Sequence, residues 1–127
     1  MSYLIALFGE AEKGALGHPY LFGSLPQMAL TLGNPPTGSQ GLHFAVQTLL
    51  YKRKLLFFRV ESEGFATSDY LSGLKYLRCK AALHLPSAIC LPGVGDRNII
   101  EDAANFCKQS KSFLIITPRD LFDFLMS

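Results

Sequence analysis

Five short apolar runs alternate with segments of helical periodicity along the 127-residue chain. The hydrophobicity of each run is continuous rather than alternating, which is typical of strands that are covered on both faces in a parallel sheet. Strands that alternate with helices imply right-handed crossovers, so this order predicts a single α/β domain over residues 1–127, a Rossmann-like three-layer sandwich with a mainly parallel sheet of about five strands. The runs are residues 3–9, 28–33, 54–60, 87–93 and 112–118.

Four helices are expected between or after these runs, each with a recognisable start signal. The residues 15–27, which are rich in Gly and Pro, are expected to hold one short helix at most. The expected helices are residues 41–53 behind a Thr37–Gln40 capping box, 70–83 opened by Thr67, Ser68 and Asp69, 97–109 capped by Asp96, and 119–127 opened by Thr117 and Pro118.

The composition is that of a globular protein with a large buried fraction, because 49% of the residues are hydrophobic and only 17% are charged. The net charge of +2 is mild, and Lys52, Arg53 and Lys54 form the only run of cations. Such a trio at a helix end usually complements the helix dipole, so no nucleic-acid partner is expected.

The cysteines Cys79, Cys90 and Cys107 are odd in number, far apart and without metal-ligand spacing. We therefore expect neither a disulfide framework nor a metal site, and no cofactor. The N-terminal apolar stretch lacks a basic flank and is too short for a signal peptide or a membrane span. These observations predict a cytoplasmic protein with no membrane partner.

Ligands of open α/β sheets bind at the carboxyl ends of the strands, which directs attention to the glycine-rich loop at residues 33–41. A strand, a glycine loop and a helix N-terminus in series would form an anion site. Ser39 and Gln40 stand where a P-loop needs Lys and Ser or Thr, so an ATPase is excluded. By itself the loop fits a structural turn as well as a phosphate cradle.

A second loop, residues 91–97, also follows an apolar run and opens a helix, with Gly93 and Gly95 allowing close backbone approach. Two such loops favour a phosphate site. Glu61 and Glu63 follow the third run with a spacing of two, which suits a catalytic acid and base or, more commonly, solvated charges at a strand end.

These two loops resemble motifs of a known family. The sequence GSQGLHFAVQTLL, residues 38–50, resembles the pattern G-x-x-G-L-M-G-A-V-A of the LONELY GUY phosphoribohydrolases, long labelled possible lysine decarboxylases, and of their wider nucleotide-binding superfamily. The sequence AICLPGVGDRNIIEDA, residues 88–103, is similar to the family pattern A-x-x-x-L-P-G-G-x-G-T-x-x-E. The matching residues are Gly38, Gly41, Leu42, Ala45, Val46, Ala88, Leu91, Pro92 and Gly93, and with a shift Gly95 and Glu101.

The resemblance implies cleavage of the N-glycosidic bond of nucleoside 5′-monophosphates. It implies a catalytic role for Glu101 near the ribose, with Arg78 beside it. The residues that the resemblance implies for the ligand are Gly38, Ser39, Gln40 and Gly41 in the first loop and Gly93, Gly95, Asp96 and Arg97 in the second.

Three departures from the family pattern weigh against catalysis. Val94 displaces the second glycine, Asp96 stands near the phosphate-binding threonine, and Glu101 lies one residue late, a rotation of about 100° on a helix. Our leading hypothesis is therefore binding of a nucleotide or phosphorylated sugar with weak or no catalysis. The alternatives are a noncatalytic regulatory or partner-binding protein on a degenerate nucleotide-binding fold and, third, an active phosphoribohydrolase. The apolar C-terminus also predicts a homodimer.

Overall fold

A five-stranded sheet, mostly parallel, forms the middle of the molecule in the computed structural model, which describes residues 4–80 and 85–126. The strand order is β2-β3-β1-β4-β5, and only β2 runs antiparallel to its neighbour. The strands are β1 (Leu4–Gly9), β2 (Pro19–Phe22), β3 (Lys54–Arg59), β4 (Ala88–Cys90) and β5 (Phe113–Ile115).

In the part of the chain that the structure describes, five helices pack against this sheet. Helices α1, α2 and α5 pack on one face, and α3 and α4 pack on the other. Within the described ranges, no helix is long and apolar enough to cross a membrane. The helices are α1 (Leu25–Leu32), α2 (Gly41–Leu50), α3 (Thr67–Cys79), α4 (Arg97–Ser110) and α5 (Pro118–Met126).

Strand β1 lies at the centre of the sheet, and its side chains supply both cores. Ile5 and Leu7 face the α1, α2 and α5 side, whereas Ala6 and Phe8 face the α3 and α4 side. The ring of Phe8 stacks on Phe58 of β3 with centroids 4.7 Å apart. Continuous hydrophobicity in this strand is therefore the result of burial on both faces, as the sequence predicted.

The mostly parallel five-stranded sheet is confirmed, and four of the five apolar runs contain a strand. The prediction of a strand at residues 28–33 is wrong, because this run belongs to α1. An S-x-x-Q capping arrangement starts this helix: Ser24 accepts the N–H of Gln27, and the Gln27 side chain accepts the N–H of Gly23 at 3.1 Å. Met28 and Leu32, four residues apart, then face the core.

The remaining strand, β2, lies where one short helix at most was expected. Pro19 begins it, and a proline is tolerated there because β2 is an edge strand of the sheet. Tyr20 and Phe22 stack with centroids 6.0 Å apart, and Phe22 reaches the core. Gly and Pro are more typical of turns than of strands, so the glycines beside β2 and its proline do not indicate a strand in the sequence.

The expected helix starts are confirmed for α4 and α5. Helix α3 begins at Thr67, three residues earlier than expected, and its N-cap residue Ala66 makes no side-chain capping bond. The Thr37–Gln40 capping box is wrong, because Gln40 is the N-cap residue of α2 and its side chain makes no capping bond. Of the expected helix ends, residues 81–83 and 127 lie outside the described residues.

The strand order reverses at β1, because β3 lies on one side of β1 and β4, the next parallel strand along the chain, lies on the other. Such a point, where two neighbouring strands lead to connections on opposite sides, leaves a crevice at their carboxyl ends. The loops after β1, β3 and β4 meet there, together with the N-terminus of α2.

Candidate functional site

The N-terminus of α2 forms a cradle of backbone N–H groups that is filled by a carboxylate of the protein itself. Oε2 of Glu63 accepts the N–H groups of Glu10 and Gly41 at 2.8 and 2.9 Å, and Oε1 accepts the N–H of Gln40 at 2.9 Å. A helix N-terminus favours negative charge, and here Glu63, from the loop after β3, supplies it.

The loop after β1 locks this arrangement. The Glu10 carboxylate accepts the N–H of Glu63 at 2.9 Å, so the two glutamates bind each other's backbone. Gly9 and Gly41 let the two backbones approach closely, because a Cβ on Gly41 would lie 2.6 Å from the Cα of Gly9. The N-terminus of α2 is thereby held against the carboxyl end of β1.

The rest of the first glycine loop is also engaged internally. The hydroxyl of Ser39 donates to the carbonyl of Pro36 at 2.7 Å, and its N–H donates to the same carbonyl. Gly38 is exposed, with a φ of +82° that suits glycine. The structure thus brings Gln40 and Gly41 together in the cradle and leaves Gly38 outside it.

The second glycine loop lines a shallow pocket of about 340 Å³. Gly93, Gly95 and Asp96 form one wall, and Gly64 and Phe65 form the other. Gly64 touches the second loop directly, because a Cβ there would lie 2.5 Å from the carbonyl oxygen of Gly93. The segment Glu63–Gly64 therefore lies between the cradle and the pocket and contacts both.

The charged residues of the second loop are engaged with α4. Oδ1 of Asp96 accepts the N–H groups of Asn98 and Ile99 at 2.8 and 3.2 Å, which makes it the N-cap of α4. Arg97 pairs with Glu101 at 3.0 Å on the exposed surface of the helix. Asp96 is thus at the pocket with its carboxylate directed to its own helix, and Glu101 is bound to Arg97.

Arg78 lies at the other edge of the sheet from the two glycine loops. It sits in the last turn of α3 and shares a surface pocket with Leu85 and Lys111, which come just before β4 and β5. Its guanidinium pairs with Asp102 of α4. The structure therefore brings Arg78 to the amino ends of the strands, the opposite edge of the sheet from the cradle.

A buried tyrosine supports the turn between the cradle and the pocket. The hydroxyl oxygen of Tyr70 accepts the N–H of Gly64 at 2.9 Å. Burial raises the pKa of Tyr70 to about 12, and the charges of Glu63 and Glu10 act in the same direction against the opposing Gly64 bond. The phenol is therefore a neutral structural group at physiological pH.

The sequence suggests for Glu63 only a catalytic role or a solvated charge, and it assigns no role to Glu10 or Phe65. Glu61, its supposed partner, is exposed, and its N–H donates to Asp69 at 2.9 Å. Phe65 is 82% exposed beside the pocket. The one available signal was the position of Glu10 and Glu63 just after neighbouring parallel strands, β1 and β3.

The three cysteines make no disulfide, and Cys90 and Cys107 are buried. Burial raises the pKa of both thiols, that of Cys107 to about 11, so neither is a reactive thiolate. Across residues 4–80 and 85–126, no three His, Cys, Asp or Glu residues gather as metal ligands. No protein-family model, curated protein or solved structure matches the chain.

Proposed function

We propose that this chain is a noncatalytic regulatory or partner-binding protein built on a degenerate, Rossmann-like three-layer nucleotide-binding fold. The observation that supports this proposal best is the position of Glu63, whose carboxylate takes the N–H groups of Gln40, Gly41 and Glu10. In the family that the glycine motifs resemble, the equivalent loop holds the phosphate of the substrate.

A phosphate bound at the same N–H groups would be repelled by the negative charge of Glu63. Two unit charges about 4 Å apart repel each other by roughly 4 kcal/mol at an effective dielectric constant of about 20. The cradle would have to release Glu63, and with it the reciprocal bond to Glu10, before an external anion bound there. The internal carboxylate thus keeps the helix terminus satisfied without a ligand.

Catalysis has little support from the residues that the family resemblance implies. Glu101 and Arg78 are each bound to another side chain, Arg97 and Asp102 respectively. Cleavage of an N-glycosidic bond needs its carboxylate within about 1 Å of the productive position. We therefore expect little or no free base from AMP, GMP, CMP or UMP in a chromatographic assay.

The test is an NMR titration with inorganic phosphate and AMP. For the wild type, we expect the amides of Gln40 and Gly41 to stay unshifted at millimolar ligand, since Glu63 occupies them. Glu63→Ala is expected to shift both amides with phosphate. Glu61→Ala, which removes an exposed carboxylate two residues away, serves as the matched control and should resemble the wild type. Shifts of both amides in the wild type would contradict the proposal.

A second candidate, binding of a nucleotide or phosphorylated sugar, is favoured by the pocket beside the second glycine loop. An exposed aromatic ring, Phe65, stands against Gly93 and Gly95, where a planar base has room to stack. In the same titration this function predicts shifts confined to residues 64–65 and 93–96, with AMP but not with phosphate. Phe65→Ala should abolish them.

Homodimer formation and a cytoplasmic location stay predictions. Phe113 on the edge strand β5 and Phe122 on α5 are 65% and 58% exposed, which suits a contact between two copies. Light scattering at micromolar concentration should give twice the 14.0 kDa mass of one chain, and a mass of one chain would contradict the dimer.

A further inference from the structure

The amino-terminal edge of the sheet gathers lysines from three separate segments of the sequence. Strands β3 and β5 begin at this edge, and helices α2, α3, α4 and α5 end there, because they return antiparallel to the parallel strands. The lysines of this basic edge are all exposed: Lys52, Lys54, Lys80, Lys108 and Lys111.

Helix dipoles alone do not account for this charge. Each helix C-terminus carries about −0.5 of an elementary charge, so four of them amount to roughly −2. Five lysines exceed that, and Arg78 at the same edge already has its own partner in Asp102. The basic edge therefore has positive charge left for an external anion.

Two of these lysines occupy backbone positions that normally favour glycine. Lys52 follows α2 with a φ of +60°, and Lys111 ends α4 with a φ of +58°. A residue with a Cβ is strained in this left-handed conformation, and glycine is the usual choice at a helix C-terminus. Lysine at both positions costs conformational free energy and places two ammonium groups at the rim of the basic edge.

Exposed apolar side chains lie among the lysines. Leu50 and Tyr51 directly precede Lys52, and the hydroxyl of Tyr51 lies 3.3 Å from the sulfur of Met126. Leu85 shares its pocket with Lys111. Leu50, Leu85 and Met126 are each more than half exposed. Aliphatic groups and a thioether gain nothing from a sugar-phosphate backbone, but they do gain from the interface of a lipid bilayer.

We propose that the basic edge binds the surface of a membrane that contains anionic phospholipids. The lysines supply attraction to the headgroups, and Leu50, Leu85 and Met126 enter the interface between them. This is peripheral adhesion of a folded domain, and it is independent of what binds at the carboxyl edge. Sequence alone predicted no membrane partner, because only the fold brings these residues together.

The test is flotation of the 127-residue chain with vesicles of phosphatidylcholine alone or with 30% phosphatidylglycerol. We expect binding only to the anionic vesicles, weaker at 0.5 M salt because the Debye length shortens. The double variant Lys52→Gly/Lys111→Gly should bind about 30-fold more weakly, since each lysine near the surface contributes about 1 kcal/mol and 1.4 kcal/mol is tenfold. Glycine suits both backbone positions, so thermal unfolding should show no loss of stability.

The matched control, Lys13→Ala/Arg119→Ala, removes two cations from outside the basic edge and should bind as the wild type does. Leu50→Ser/Leu85→Ser, which keeps every charge, should bind several-fold more weakly. No preference for anionic vesicles, or an equal loss in the control, would overturn the proposal. The proposal would also be overturned if the protein bound a 20-nucleotide DNA more tightly than the anionic vesicles and Leu50→Ser/Leu85→Ser left the affinity for DNA unchanged. That result would indicate a nucleic-acid partner.

Discussion

Helices α2 and α4 both begin against a carboxylate, but the two carboxylates come from different distances along the chain. Asp96 caps α4 through the N–H groups two and three residues ahead. Glu63 reaches α2 from the loop after β3, 22 residues beyond Gly41, and it depends on the close contact of Gly9 with Gly41. A local cap holds one helix end, whereas the tertiary fold holds the other.

This difference predicts how each site tolerates change. The cradle at α2 has no spare room and involves three loops, so small changes there should disturb the fold. The second loop is open, with no heavy atom within 4 Å of a Cβ built on Gly93 or Gly95. Changes in that loop should affect only α4 and the adjoining pocket.

The largest effect is expected from Gly41→Ala. Its new methyl group would lie 2.6 Å from the Cα of Gly9 and 2.9 Å from Oε2 of Glu63, so backbone must move. We expect a loss of about 3 kcal/mol in the free energy of unfolding, measured by urea denaturation. Gly95→Ala is the matched control in the open loop and should change stability by less than about 0.5 kcal/mol. Equal losses in the two variants would mean that the loops do not differ in this way.

Glu63→Ala should have the next largest effect. It leaves the N–H groups of Glu10, Gln40 and Gly41 without their acceptor, and water replaces the carboxylate only in part. We expect a loss of about 2 kcal/mol. Adding phosphate should restore part of this stability, because the vacated cradle would bind the anion. Glu61→Ala should cost almost nothing, and a comparable loss there would rule out the special role of Glu63.

The pH dependence of stability tests the role of Tyr70, which supports the turn between the cradle and the pocket. Its pKa is raised by burial to about 12, so the folded protein keeps the phenol proton where the unfolded chain, with a pKa near 10, loses it. Below pH 10 both states are protonated and stability does not depend on this group. Between pH 10 and 12 stability should fall by about 1.4 kcal/mol per pH unit.

Tyr70→Phe should lack this alkaline loss and should be less stable by about 1.5 kcal/mol at neutral pH, because the N–H of Gly64 loses its acceptor. Circular dichroism at a series of pH values measures both effects. Tyr51→Phe is a suitable control, since Tyr51 is exposed. If wild type and Tyr70→Phe lost stability in parallel above pH 10, the phenol would not be protected in the folded state.

The contrast between the local cap of α4 and the tertiary contact at α2 also explains which features the sequence could predict. Asp96 was found as a cap because capping depends on neighbours two and three residues away. The S-x-x-Q capping arrangement at Ser24 and Gln27 was equally visible in principle, but the apolar run after it resembled a strand, and periodicity in short apolar runs does not distinguish a strand from a helix.

Nothing in the sequence near Glu63 indicates that its carboxylate accepts the N–H groups at the start of α2. Its role depends on the parallel pairing of β1 with β3, which brings the ends of both strands together, and on two glycines far apart in sequence. Sequence patterns identified the α2 loop as suited to an anion, but they did not identify which anion. The basic edge has the same origin, because its three groups of lysines come together only when the helices return across the sheet.

The smallest effect is expected from Asp96→Ala, which removes the local cap. Loss of an N-cap typically costs about 1 kcal/mol, and α4 keeps its packing through Ile99 and Ala103. Because the cap is local, the damage should stay at the first turn of α4: hydrogen exchange should quicken at Asn98 and Ile99 while the amides of Gln40 and Gly41 keep their protection. Asp96→Asn, which retains a capping oxygen, should recover most of the stability. Faster exchange at Gly41 in Asp96→Ala would show that the two helix ends form one cooperative unit joined through Gly64.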